Sequence, residues 1–108
     1  MTGIRVVLVT VPDEKTGLEL ARTLVGERLA ACVNLLPGVR SIYRWQGRIE
    51  DDRELLLIIK TGTGALENLT RRVKELHPYE EPEIIFLPVE GGSPGYLDWV
   101  AKESAVPD

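Results

Sequence analysis

A chain of 108 residues, 44% hydrophobic and 28% charged, has room for one domain with a modest core, and this composition excludes intrinsic disorder and a coiled coil. Thirteen Lys and Arg against 17 Asp and Glu leave a net charge of -4, which argues against a nucleic-acid binder, since that class needs a basic face to displace counterions. The single cysteine, Cys32, excludes an intrachain disulfide. The apolar run after Met1 is far too short to span a bilayer and carries no leader pattern, so the expected compartment is the cytoplasm.

Ile4 to Val11 is β-branched and nearly all apolar, which predicts a strand covered on both faces. Pro12-Asp13-Glu14 supplies a fixed φ and two carboxylates suited to a helix N-terminus. Leu18, Ala21, Val25 and Leu29 then recur at helical spacing, with Leu20 and Leu24 widening the stripe.

Two arms of 13 residues follow, Val33 to Trp45 and Arg48 to Lys60, on either side of Gln46-Gly47. A Gly beside a polar residue provides the positive φ of a tight two-residue loop, so the pattern predicts one long β-hairpin. In that register Trp45 faces Arg48, Tyr43 faces Glu50, Arg44 faces Ile49 and Ile42 faces Asp51, and both faces of the tip present apolar side chains. Each arm would run about 43 Å, beyond the roughly 34 Å diameter of a compact chain this size. A lone ribbon is marginal in water, so the overhang is expected to pack on another copy of the chain. Pro37-Gly38 marks a bulge in the first arm. The second arm changes from the charged Glu50-Asp51-Asp52-Arg53-Glu54, read as a solvated edge, to the apolar Leu55-Leu56-Leu57-Ile58-Ile59, read as central.

After Lys60-Thr61-Gly62-Thr63-Gly64 a second helix carries Leu66, Leu69, Val73 and Leu76 on one stripe, and Pro78 ends it by His77. Ile84 to Leu87 reads as a fourth strand between Pro82 and Pro88. Ser93 and Pro94 start a closing helix through Trp99 and Val100. The order is βαββαβ plus a terminal helix, an α+β, ferredoxin-like split βαβ with an antiparallel sheet. Both main helices fall on one face, and the apolar residues of the other face also call for cover. Leaving each aliphatic side chain exposed forfeits about 1.5–3 kcal/mol.

Four blocks carry a resemblance to a known family: Glu27-Arg28-Leu29-Ala30-Ala31-Cys32-Val33-Asn34, Tyr43-Arg44-Trp45-Gln46-Gly47-Arg48-Ile49-Glu50, Leu57-Ile58-Ile59-Lys60-Thr61, and His77 through Ile85. In this order they resemble the CutA divalent-cation-tolerance family nearly end to end. The resemblance implies a ferredoxin-like subunit in a tight homotrimer with its sheets turned inward, similar to the nitrogen-regulatory PII trimers. It further implies tolerance of copper and other divalent cations, with copper binding attributed to family members and no settled catalytic activity.

Candidate site residues follow from both sources. Cys32 is either a soft donor for copper or zinc or a small buried hydrophobe. His77 is either a copper ligand, with Glu80, Glu81 or Glu83 as oxygen donors, or a cap on the last carbonyls of the second helix. One Cys and one His cannot close a tetrahedral site in a single chain, so a strong soft-metal site would draw on several subunits or on carboxylates. Lys60 with Gly62-Thr63-Gly64 forms a candidate anion loop, though not a Walker loop. The resemblance implies that Tyr43, Trp45, Lys60, His77, Tyr79 and Glu81 line an inter-subunit cleft. Neither Ser41 nor Ser93 lies in a nucleophile elbow, and the acidic run lacks EF-hand spacing. The leading expectation is thus a cytosolic, non-enzymatic homotrimer that binds copper or another divalent cation weakly. The alternative is a PII-like signalling module whose cleft takes a small anionic metabolite; neither reading involves nucleic acid or a membrane.

Overall fold

The computed structural model describes residues 2–105. The chain runs β1 (Ile4–Val11), α1 (Glu14–Gly26), β2 (Cys32–Trp45), β3 (Arg48–Gly62), a 3-10 turn (Thr63–Ala65), α2 (Leu66–Leu76), β4 (Ile85–Pro88) and α3 (Pro94–Glu103). The sheet order is β2-β3-β1-β4 with every neighbour antiparallel, which is the ferredoxin-like topology. Among the described residues no helix is long and apolar enough to cross a membrane.

The hairpin forms in the expected register. Trp45 pairs with Arg48, Tyr43 with Glu50 and Ile42 with Asp51. Gln46 and Gly47 have φ of 48° and 79°, the positive pair that matches a two-residue loop to the twist of its strands. The pairing slips between Leu36 and Val39, where Gly38 adopts φ 78°, so Pro37-Gly38 does form the bulge. β3 continues past Lys60 through Gly62. The long axis of the molecule, 44 Å against 26 and 22 Å, is the length of this ribbon. At its tip Ile42 and Ile49 are each 68% exposed.

Side-chain alternation divides the sheet cleanly. Val7, Val9, Val11, Leu57 and Ile59 point to the face covered by α1 and α2, where they meet Leu20, Leu24, Leu69 and Val73 in the main core. The paired positions Val6, Leu8, Leu56 and Ile58 point the other way. There α3 covers one end, packing Val100 on Ile4 and Ala31. Leu36, Ile85 and Leu87 on that face remain exposed.

Several local expectations are corrected. The buried stripe of α1 is Gly17, Leu20, Ala21 and Leu24, while Val25 is 42% exposed. The helix stops at Gly26, because Arg28 turns to φ 61° and Leu29 enters the core from the following loop. Its N-cap is Asp13, whose side chain accepts from the Thr16 backbone N–H at 2.8 Å, a bond that holds the Asp13 carboxyl below its ordinary range. Ser93 does occupy the N-cap of α3 but makes no capping bond with its side chain. β4 starts one residue late, at Ile85, and includes Pro88 at its end. At the other end of α3, the Arg28 guanidinium donates to the carbonyls of Lys102 and Ala105 at 2.9 and 3.0 Å, tying that helix to the end of α1.

Gly17 sets how closely α1 approaches the sheet, since a Cβ there would lie 3.1 Å from Leu35 Cδ2 and 3.3 Å from Val11 Cγ2. A valine in its place overfills this seam. Gly17→Val is expected to lower stability by about 1–3 kcal/mol, read as a lower urea midpoint with an unchanged m-value.

Candidate functional site

The segment after α2 builds one side of a pocket. Pro78 stops the helix, and the chain then turns over the end of β1 because of a single ring. His77, 7% exposed, has Nε2 2.7 Å from the Thr10 carbonyl oxygen, and its Nδ1 accepts from the Tyr79 backbone N–H at 3.1 Å. With Nδ1 accepting, the proton sits on Nε2 and is donated to Thr10. The bonding fixes Tyr79, whose ring lies tilted against His77 at 4.7 Å between centroids. Its hydroxyl then donates to Glu54 Oε2 at 2.9 Å.

Glu54 is only 6% exposed. This corrects its reading as part of a solvated acidic run: it shares the face of Leu56 and Ile58, two and four residues on, and sits where the ribbon joins the globule. Nearby, Tyr43 donates its hydroxyl to Asp52 Oδ2 at 2.5 Å, while Arg40 and Asp51 pair at 2.9 Å further along the ribbon. The resulting cavity, about 730 Å³, is lined by Tyr43, Trp45, Glu54 and Tyr79, with the 80–83 segment at its rim. Glu80, Glu81 and Glu83 bring three more carboxylates. Burial, and then the charge of Glu54, push the Glu83 carboxyl above its ordinary range. The Asp52 carboxylate pushes the Tyr43 phenol up to about 12, and burial followed by the Glu54 hydrogen bond pushes Tyr79 up as well.

Cys32 and Lys60 form a separate cluster on the same sheet face. They pair across the ladder, with Lys60 Nζ hydrogen-bonded to Asn34 Oδ1 and 4.0 Å from Cys32 Sγ. Six β3 positions separate Lys60 from Glu54, or about 20 Å. Cys32 is half-buried in polar company and lies outside the main core, so it is not the buried hydrophobe. The Tyr96 hydroxyl of α3 is made less acidic by burial and by this thiol.

The expected residues therefore divide. Tyr43, Trp45, Tyr79 and Glu81 do meet around one pocket, but within one chain Lys60 lies elsewhere. His77 occupies the C-cap of α2, where its backbone N–H donates to the Val73 carbonyl at 2.8 Å, but its ring caps no carbonyl of that helix and is not an available ligand, because both ring nitrogens are already engaged with Thr10 and Tyr79. Cys32, His77 and Glu81 do not converge, and among the described residues no three His, Cys, Asp or Glu side chains stand close enough to hold one ion. The anion loop is also spent. Gly62 N–H donates to Ser104 Oγ at 3.0 Å and Thr63 N–H to the Gly3 carbonyl at 2.9 Å, while Gly64 lies within the 3-10 turn that leads into α2.

A split-βαβ sheet with an overlong central hairpin, and an acidic aromatic pocket at the hairpin's root, defines a class of small α+β proteins. The family model described as "CutA1 divalent ion tolerance protein" matches residues 5–103, and the chain belongs to this family. It is 54% identical over 99 residues to the divalent-cation tolerance protein CutA of Thermus thermophilus, covering 92% of this chain and 96% of that protein. It is 52% identical to the chloroplastic protein CutA of Arabidopsis thaliana, of which it spans about half the length, 54%. A solved structure of the divalent cation tolerance protein from Thermus thermophilus superposes with a TM-score of 0.93 at 53% identity, covering 94% of this chain and 99% of that one.

The two tyrosines make a pH prediction. Each phenol is less acidic in the folded chain, so its stabilisation is complete below the ordinary tyrosine value of about 10 and fades as the pH rises, for Tyr43 between 10 and about 12. Urea unfolding followed across that window should show falling stability, with a shallower fall in Tyr43→Phe; an identical fall in the variant would remove Tyr43 from the account.

Proposed function

We propose that this chain assembles as a homotrimer and binds divalent cations weakly, copper(II) among them, as a non-catalytic protein of divalent-ion tolerance. The observation that carries this reading is the gathering of Glu54, Glu80, Glu81 and Glu83 around one pocket, where burial, and then the charge of Glu54, raise the Glu83 carboxyl above its normal range. Carboxylates are hard oxygen donors, suited to divalent ions. Cys32 suits them less, because the Lys60 ammonium lies beside it.

Since no group of three ligands closes within the described residues, the remaining coordination would come from water or from a neighbouring subunit. Trimer formation is supported by the half-covered aliphatic face and the exposed hairpin tip. We read the compartment as cytoplasmic, where a lone thiol stays reduced. The PII-like alternative gains support from a pocket of small-molecule size, but an anionic guest would face four glutamates.

Calorimetric titration with Cu(II) and Zn(II) tests the metal reading. Dissociation constants of about 10⁻⁵–10⁻³ M are expected, weakened about tenfold in Glu81→Gln/Glu83→Gln. Because Glu83 holds its proton to higher pH than an ordinary glutamate, binding at mildly acidic pH should release protons, visible as a buffer-dependent heat. Unchanged affinity in the double variant, with loss in Cys32→Ala instead, would move the site to the thiol.

A further inference from the structure

Two charges on the outer face of the sheet have no opposite partner in their own chain. Glu54 is 6% exposed, and its Oε2 accepts one hydrogen bond, from the Tyr79 hydroxyl. Lys60 is half-buried, with Nζ hydrogen-bonded to Asn34 Oδ1 and 4.0 Å from Cys32 Sγ. Among the described residues no cation stands within ion-pair distance of Glu54, and no carboxylate within that distance of Lys60. Both side chains lie on one face of β3, but about 20 Å apart, so they do not meet within a chain. Lys60 sits between Val6 and Cys32 on the aliphatic part of that face. Glu54 sits opposite Val39, one residue beyond the Leu55 and Val11 pair where β3 leaves β1.

Covering this face with further copies takes both charges out of water together. An ammonium or a carboxylate buried alone is costly, whereas a hydrogen-bonded pair of the two offsets much of that cost. The choice of partners on the face is narrow. Its strands carry one other cation, Arg48, which stands exposed at the ribbon tip. Of the other carboxylates there, Asp52 is exposed and already accepts from Tyr43, and Glu50 lies further out on the ribbon. A ring built head to tail brings two different patches together at every contact, so an ammonium from one copy and a carboxylate from the next can meet at all three.

We infer that Lys60 of each copy forms an ion pair with Glu54 of the partner subunit, across the interface that covers the outer face. Each copy gives its ammonium to one neighbour and receives one from the other, so the pair fixes the direction and register of assembly. This inference rests on the homotrimer proposed above. It leaves the rim carboxylates of Glu81 and Glu83 to the divalent ion.

The experiment is a double-mutant cycle on subunit association, read by sedimentation across a urea series at fixed protein concentration and about 0.15 M salt. Lys60→Glu and Glu54→Lys should each weaken association about tenfold or more, and the two reversals combined in one chain should regain most of that loss. Lys60→Gln and Glu54→Gln keep the cycle readable should the reversals fail to fold; their combined loss is expected to fall short of the sum. Sites about 20 Å apart in one chain act independently. Loss of the Tyr79 bond enters both arms of the cycle and cancels, so coupling reports a contact between copies. A wild-type trimer in which the losses simply add, with no recovery in the double reversal, overturns the ion pair and leaves the trimer standing. A wild type that stays at 12.0 kDa overturns the trimer, and the ion pair with it.

Discussion

The pairing of β2 with β3 is the constraint on which the rest of this molecule depends. Twelve matched residue pairs, with one shift of register at the Pro37-Gly38 bulge, hold the two strands together from Cys32 and Lys60 at the root to Trp45 and Arg48 at the tip. Because side chains alternate, that register decides which residues enter the core and which are left outside: a slip of one position would exchange Leu57 and Ile59 for Leu56 and Ile58. It also carries the ribbon past the globule, and it puts Tyr43 within reach of Asp52 and Glu54 under Tyr79. The same ladder therefore sets the long shape, the aliphatic outer face and the pocket.

A second dependence runs across the sheet. Thr10 at the end of β1 holds His77, His77 holds the backbone of Tyr79, and Tyr79 holds Glu54 on β3. Each link satisfies a polar group with little access to water, and no sealed polar side-chain atom among the described residues is left without a partner. The chain of bonds turns the segment after α2 into a pocket wall and brings its glutamates towards Glu54. The cost is that of burying charge: burial first, and the Glu54 charge second, raise the Glu83 carboxyl. A positively charged guest would offset the Glu54 contribution, which is the physical basis of the divalent-ion proposal.

The parts of the fold that rest on local rules were legible in the sequence. Gln46-Gly47 required positive φ, Pro37-Gly38 required a bulge, and the runs of β-branched residues required strands, and each element formed where those rules put it. Tertiary effects were not legible in the same way. Val25 fits the helical period of α1, yet Gly17 draws the helix onto the sheet along a line centred on Leu20 and Leu24. Glu54 looks like the last member of a charged run; its alternation with Leu56 and Ile58 puts it on the outer sheet face, and only the tertiary contact with Tyr79 buries it there. His77 and Cys32 attract attention as metal-binding residue types. Residue type cannot show that one ring has both nitrogens occupied or that the thiol sits beside an ammonium about 20 Å from Glu54. The cleft aromatics emerged from the family resemblance, and the structure brings Tyr43, Trp45 and Tyr79 together in one chain while leaving Lys60 apart.

The central claim is that a ribbon this long and a sheet aliphatic on both faces hold their shape only against further copies of the same chain. Sedimentation equilibrium at micromolar concentration reads this directly. The account predicts a single species at three times the 12.0 kDa subunit mass. A cooperatively folded species of 12.0 kDa that persists at that concentration would contradict it.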